Sequence, residues 1–145
     1  MITTHTNSDS LRAARSVGLI SRETGAVVKC EATFTGHTGP VWSLTLASDY
    51  NTLISGSSDT TVKVWDIASG KCKTTLRGHE GIVHGVGVNG NQIVSGSSDR
   101  MIKVWDMQSG KCLRTLEQQD NTVCSVIVAE GFVFTGSFGE IKVWD

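Results

Sequence analysis

The chain has 145 residues, 39% of them hydrophobic, with 16 glycines, one proline and a formal net charge of −1. That length suits one domain, and the near-neutral balance, with Lys and Arg scattered rather than clustered, offers no electrostatic footprint for nucleic acid or an anionic membrane. No apolar run reaches the ~18–20 residues a spanning helix needs.

Residues 1–26 open with MITTHTNSDSLRAARS, which is polar and lacks the apolar core of a secretory signal. A disordered tail is expected there, with LRAARS as a weaker hint of a transit peptide and SVGLIS (16–21) as a degenerate strand. An outer strand without a partner is expected over 27–34. VWSLTL (41–46), TLISGS (52–57), TVKVWD (61–66) and KCKTTL (71–76) then read as strands, being short, β-branched and bounded by turn residues. Val62 and Val64 alternate with Lys63, giving one buried and one exposed side. Ala68-Ser69-Gly70 and Gln108-Ser109-Gly110 mark turns, and Asn89-Gly90 between two apolar runs predicts a two-residue hairpin. The predicted class is all-β.

The pattern then repeats. SGSSDTTVKVWDIASGKCKTTLRGH at 55–79 returns at 95–119 as SGSSDRMIKVWDMQSGKCLRTLEQQ, and TGSFGEIKVWD closes the chain at 135–145. The three Val-Trp-Asp copies lie 40 and 39 residues apart, so one supersecondary unit is used several times. Units are expected near 37–76, 79–117 and 119–145, the first two four-stranded antiparallel meanders and the third a three-strand set that lacks its fourth strand. Cys30, Cys72 and Cys112 hold the same place in successive units, a blade apart and too distant for disulfides. With Cys124 they are expected to be reduced and mostly buried.

These residues resemble the WD-repeat β-propellers over roughly 27–145. Gly36-His37, Gly78-His79, the Ser-Gly-Ser-x-Asp segments and the terminal Trp-Asp carry the likeness. The style is similar to the propellers of TRAF-type ubiquitin ligases, F-box receptors and myosin heavy-chain kinases. The resemblance implies a partial β-propeller of four-stranded blades, a cytoplasmic protein with the nucleus left open, and no enzyme, cofactor or metal. It also implies a structural relay in which Asp59 holds His37, His37 reaches Ser55 and Ser55 reaches the Trp65 indole. His79, Ser95, Asp99 and Trp105 repeat it.

Three patterns imitate chemistry. His37, Ser55 and Asp59 have a hydrolase triad's composition, but catalysis needs the serine on a strained, exposed turn beside an oxyanion hole. Here each serine lies inside a strand and the set recurs unit by unit. Gly85-x-Gly87-x-x-Gly90 matches the dinucleotide fingerprint by letter, yet a strand follows where a helix is required. His5, His37, His79 and His84 would bind a metal only if they converged.

The expected function is a protein-interaction scaffold that recruits partners, with substrate recognition for a ubiquitin ligase or a kinase as its finer form. No RING, F-box or kinase sequence occurs in these residues. The alternatives are a hydrolase using His37, Ser55 and Asp59, or a non-functional piece of a longer propeller. By the resemblance, partner contacts fall on Trp42, His84 and Cys124, on Pro40, Ile82 and Thr122, and on Ser58, Ser98 and Phe138. None is an arginine, which disfavours a phosphopeptide. Trp42 also has a plainer reading as packing between blades. In the third unit Gln119 replaces the histidine and Gly139 the aspartate, so its relay is expected to be incomplete, at a cost of about 1–3 kcal/mol. Three blades do not close a ring of the usual 4–8. Further blades of a longer chain, or a homodimer that exchanges strand 27–34, are therefore expected.

Overall fold

A computed structural model describes residues 30–116 and 118–145. Within them three antiparallel sheets form, with no helix. The first comprises β1 (Val41–Leu46), β2 (Thr52–Ser57), β3 (Val62–Asp66) and β4 (Lys71–Leu76) in that order. The second repeats it with β5 (Val83–Asn89), β6 (Gln92–Ser97), β7 (Ile102–Asp106) and β8 (Cys112–Thr115). The third has β9 (Ser125–Ala129), β10 (Phe132–Ser137) and β11 (Glu140–Trp144). The all-β class and blade-like meander expected from the sequence are what the structure shows.

Side-chain alternation explains how the sheets stack. Val62 and Val64 leave one face of β3, and Trp65, the next residue, leaves the other. Both faces are apolar because each is meant to meet another sheet. Ile54, Val62, Val64 and Leu76 of the first sheet pack with Val83, Val86, Ile93 and Trp105 of the second. Val94 and Ile102 of the second pack with Val123 and Val126 at the third, joined by Val104, Leu116, Val133 and Trp144. Each large side chain so buried is worth about 1.5–3 kcal/mol, so these two interfaces hold the array together.

The turns are fixed by side chains. Asp66 Oδ1 accepts hydrogen bonds from the Ser69 N–H at 2.8 Å and the Ser69 hydroxyl at 2.6 Å. Those bonds hold its carboxyl down at about 2. Gly70 closes that turn at φ +70°.

Three expectations need correction. The hairpin between β5 and β6 turns on Gly90-Asn91, because Asn89 is still paired with Gln92. Residues 30–34 form no strand, since no neighbouring strand offers them a ladder, and 27–29 lie outside the described residues, as do 1–26. All four cysteines are free and exposed rather than buried. Cys72 and Cys112 sit on the outermost strands β4 and β8, where only one edge is covered. Their thiols bond locally, Cys72 Sγ to the Thr74 carbonyl at 3.4 Å.

Candidate functional site

Two relays, the second more deeply buried than the first, tie the strands of the first two sheets together. In the first, Asp59 Oδ2 lies 2.7 Å from His37 Nδ1, and His37 Nε2 lies 2.7 Å from Ser55 Oγ. Ser55 Oγ accepts the Trp65 indole N–H at 2.8 Å. His79, Asp99, Ser95 and Trp105 repeat this at 2.7, 2.7 and 2.8 Å. Since Ser95 Oγ already accepts from the indole, its hydroxyl proton satisfies His79 Nε2, leaving Nδ1–H to donate to Asp99. A neutral imidazole therefore pairs every polar atom of the chain, as buried groups require. The glycine before each histidine is needed too. Gly36 and Gly78 have φ +151° and +147°, and a Cβ there would come within 3.2 Å of the Trp65 and Trp105 rings.

Burial sets the electrostatics. It pushes the His79 imidazole below its ordinary 6.5, although the Asp99 carboxylate pulls the other way. For Asp99, burial is outweighed by hydrogen bonds from the Glu80 and Met101 amides and from His79, so its carboxyl stays below the usual range. Asp59 is also held low: burial opposes, but Thr61, His37 and the Thr38 amide win. The sign of the pH effect follows. Below 6.5 the unfolded chain takes up a proton that folded His79 refuses, so the unfolded state binds more protons and stability falls as pH drops. The urea midpoint is expected to decline between pH 7.5 and 5.5, and a His79→Asn variant, though weaker, should flatten that slope. A further loss is expected below 3.8, from Asp59 and Asp99.

The third sheet keeps part of this chain. Thr135 stands in the serine's place and accepts the Trp144 indole N–H at 2.9 Å. Gln119 is buried at the histidine's place, and its Oε1 accepts from Lys142 Nζ at 3.0 Å. The β10–β11 turn shortens to Phe138-Gly139, with Ser137 already paired to Glu140.

The nine partner-contact candidates lie along one end of the array. Val41 pairs with Ser57, and Val83 with Ser97, so Pro40 and Trp42 share an end with Ser58, and Ile82 and His84 with Ser98. Pairing of Ser125 with Gly136 puts Thr122 and Cys124 at the matching end of the third sheet, with Phe138 on the adjoining turn. The register slips between Val41 and Ser43 and between Val83 and Gly85. Trp42 and His84 are the extra residues of these bulges, which re-aim side chains at a strand's start. Their rings meet edge to face, centroids 5.4 Å apart. Trp42 stays 57% exposed and Phe138 86%, so Trp42 touches the neighbouring blade and still faces outward. Pro40 and Ile82 instead serve the turns: their carbonyls accept from the Ser58 and Ser98 amides, both at 2.9 Å.

Sequence reasoning missed several residues. Thr61 donates to Asp59 Oδ1 at 2.7 Å. Ser57 Oγ bonds the Pro40 carbonyl at 2.9 Å and receives the Asp59 amide at 3.1 Å; its recurrence as Ser97 and Ser137 was the available signal. The lookalike chemistry finds no support in the geometry. Ser95 is 0% and Ser55 2% exposed, and both accept an indole N–H. Gly85 and Gly87 admit Val126 and Val128 of the next sheet. Among the described residues no group of His, Cys, Asp or Glu could hold a metal; His5 lies outside them.

Comparison with known proteins places this architecture. The sequence pattern of the WD domain, G-beta repeat, matches residues 28–66 and 70–106, just over half the chain. The chain is similar to the E3 ubiquitin-protein ligase TRAF7 of Mus musculus, 42% identical over 137 residues, which are 93% of this chain and 23% of that protein. The Homo sapiens protein of the same name matches equally, over 20% of its length. F-box and WD repeat domain containing protein 10B of Homo sapiens is 42% identical over 50 residues, 34% of this chain and 7% of that protein. The chain thus spans less than a quarter of the length of these relatives. It belongs to the WD40, G-beta repeat family.

Proposed function

We infer that the chain is a protein-interaction module that reads a partner with the sheet end bearing Trp42 and His84, and that it serves a ubiquitin ligase as a targeting element. One observation carries the first half. Adjacent blades each spend a bulge to present an aromatic ring at the same end, and Trp42 remains largely exposed there. A half-supported indole beside an imidazole is the kind of rigid, amphipathic group that dominates binding energies. Likeness to the two ligases named TRAF7 and to an F-box protein supports the second half. With no arginine at the nine positions, a neutral or apolar peptide segment fits better than a phosphopeptide.

The test is a peptide-display selection against the purified chain, repeated with Trp42→Ala. Selected peptides are expected to lose at least tenfold in affinity for Trp42→Ala, about 1.4 kcal/mol, while its urea midpoint stays near that of the parent. Peptides that bind both proteins equally would sink the reading.

A further inference from the structure

We propose that the outer edge of the first sheet, strand β4, takes an extended acidic segment of a partner protein as an added strand. This surface is separate from the end bearing Trp42 and His84, because β1 and β4 are opposite margins of that sheet, and it does not depend on what that end contacts. The edge is internal to the chain, since β4 runs on through residues 77–82 into the second sheet.

Folding separates charges that look scattered in the sequence. In the first sheet turns and the relay absorb the carboxylates. Asp49 accepts the Asn51 and Thr52 amides, Asp59 faces His37, and Asp66 takes Ser69. The cations gather at the β4 margin: Lys63 on β3, Lys71 and Lys73 on β4, and Arg77 just past it. Lys71, Lys73 and Arg77 are exposed. Among the described residues only Lys73 of these four meets a carboxylate, Asp66 Oδ2 at 3.3 Å.

The backbone at this margin is open. No strand follows β4 in its sheet, nor β8 in the second. In β8 the Leu116 amide turns inward to the Ile102 carbonyl at 2.9 Å, so the neighbouring Thr115 turns its N–H and C=O outward. Thr75 holds the same position in β4, paired with Lys63 as Thr115 is with Lys103. A cation is already fixed beside it. Lys63 Nζ donates to Thr75 Oγ1 at 2.8 Å, which uses one of the ammonium's donors and leaves the others free. A strand laid along β4 would bond the outward N–H and C=O of Thr75. An Asp or Glu opposite Thr75 would then set its carboxylate beside the Lys63 ammonium, with Lys71 and Arg77 toward the two ends of the strand.

Lysines on a sheet edge deter casual strand pairing. Here they also act as a filter. A basic strand meets like charge and a neutral one must desolvate ammoniums, whereas an acidic strand offsets them. The cations follow one backbone edge rather than a broad field, which fits a peptide strand better than nucleic acid or a lipid surface. Strand β8 repeats the device in weaker form. Lys103 Nζ bonds Thr115 Oγ1 at 3.0 Å, but β8 has 4 residues against 6 in β4, and Leu113 stands where β4 has Lys73.

The test uses the full chain and two blocked heptapeptides, one alternating Glu with Val and one alternating Lys with Val. The Thr75 amide is expected to exchange freely in the chain alone and about tenfold more slowly under saturating Glu–Val peptide. Binding should weaken as salt rises, and Lys63→Gln should reduce affinity about fivefold, while Trp42→Ala binds like the parent. Protection of Thr75 without peptide would overturn the proposal, because the edge would already be covered. So would a Glu–Val peptide that fails to protect Thr75, a Lys–Val peptide that binds as well, or unchanged affinity after the Glu–Val peptide is N-methylated along its backbone. A single-stranded oligonucleotide or anionic vesicles that protect Thr75 better than the peptide would overturn it too. If Lys63→Gln loses its β-sheet circular dichroism, the exposed Lys71→Gln decides in its place.

Discussion

Ser95→Ala is expected to lower folding stability by about 2–4 kcal/mol, read as a shift in urea midpoint. Its hydroxyl is the hydrogen-bond partner of two buried groups, the Trp105 indole N–H and His79 Nε2. Alanine leaves both unpaired, and each unmade buried bond costs about 1–3 kcal/mol. Water cannot substitute, since the site is sealed between two sheets. Ser55→Ala removes the same bonds but should cost less, because His37, Ser55 and Trp65 border an open groove where water can enter. Thr135→Ala should cost least, about 1 kcal/mol, as the Trp144 indole is the group it abandons. The order Ser95 over Ser55 over Thr135 is the discriminating result. Equal losses at all three would mean that the hydroxyls matter only through local packing.

How far the sequence disclosed this molecule depends on the length scale of the signal. The strands and sheets were legible because Val-x-Val-Trp-Asp and its flanking turn residues recur, and repetition separates a real pattern from a chance one. The relay partners became legible through family resemblance, whereas Thr61 did not, because a threonine two residues after an aspartate carries no distinctive pattern. The β5–β6 turn was displaced by one residue because Asn89-Gly90 and Gly90-Asn91 are both good turn pairs, and only the Asn89–Gln92 pairing decides between them. The bulges at Trp42 and His84 were invisible, since one extra residue in a strand leaves the composition unchanged. Cysteine burial was misjudged for a related reason: as a residue type cysteine favours the interior, but the outermost strand has little interior to offer.

Gly85→Ala is expected to destabilise the protein by about 2–3 kcal/mol, and to do so unevenly. A Cβ on Gly85 would lie 2.6 Å from the Val126 amide nitrogen and 2.9 Å from the Ser125 carbonyl carbon. These are backbone atoms and cannot swing aside as a side-chain tip would, so β5 and β9 must separate. Separation loosens the packing of Val123 and Val126 against Val94 and Ile102, through which the third sheet is held to the second. Hydrogen exchange should therefore accelerate first in β9, β10 and β11, while β1 to β4 keep their protection. Gly131→Ala provides the contrast. Its φ is +85° but nothing lies within 4 Å of the new Cβ, so only backbone strain of about 1–2 kcal/mol applies, and inter-sheet packing is untouched. If Gly85→Ala instead raised exchange evenly across all three sheets, the array would unfold as one cooperative unit. The third sheet's attachment would then not be its weakest point.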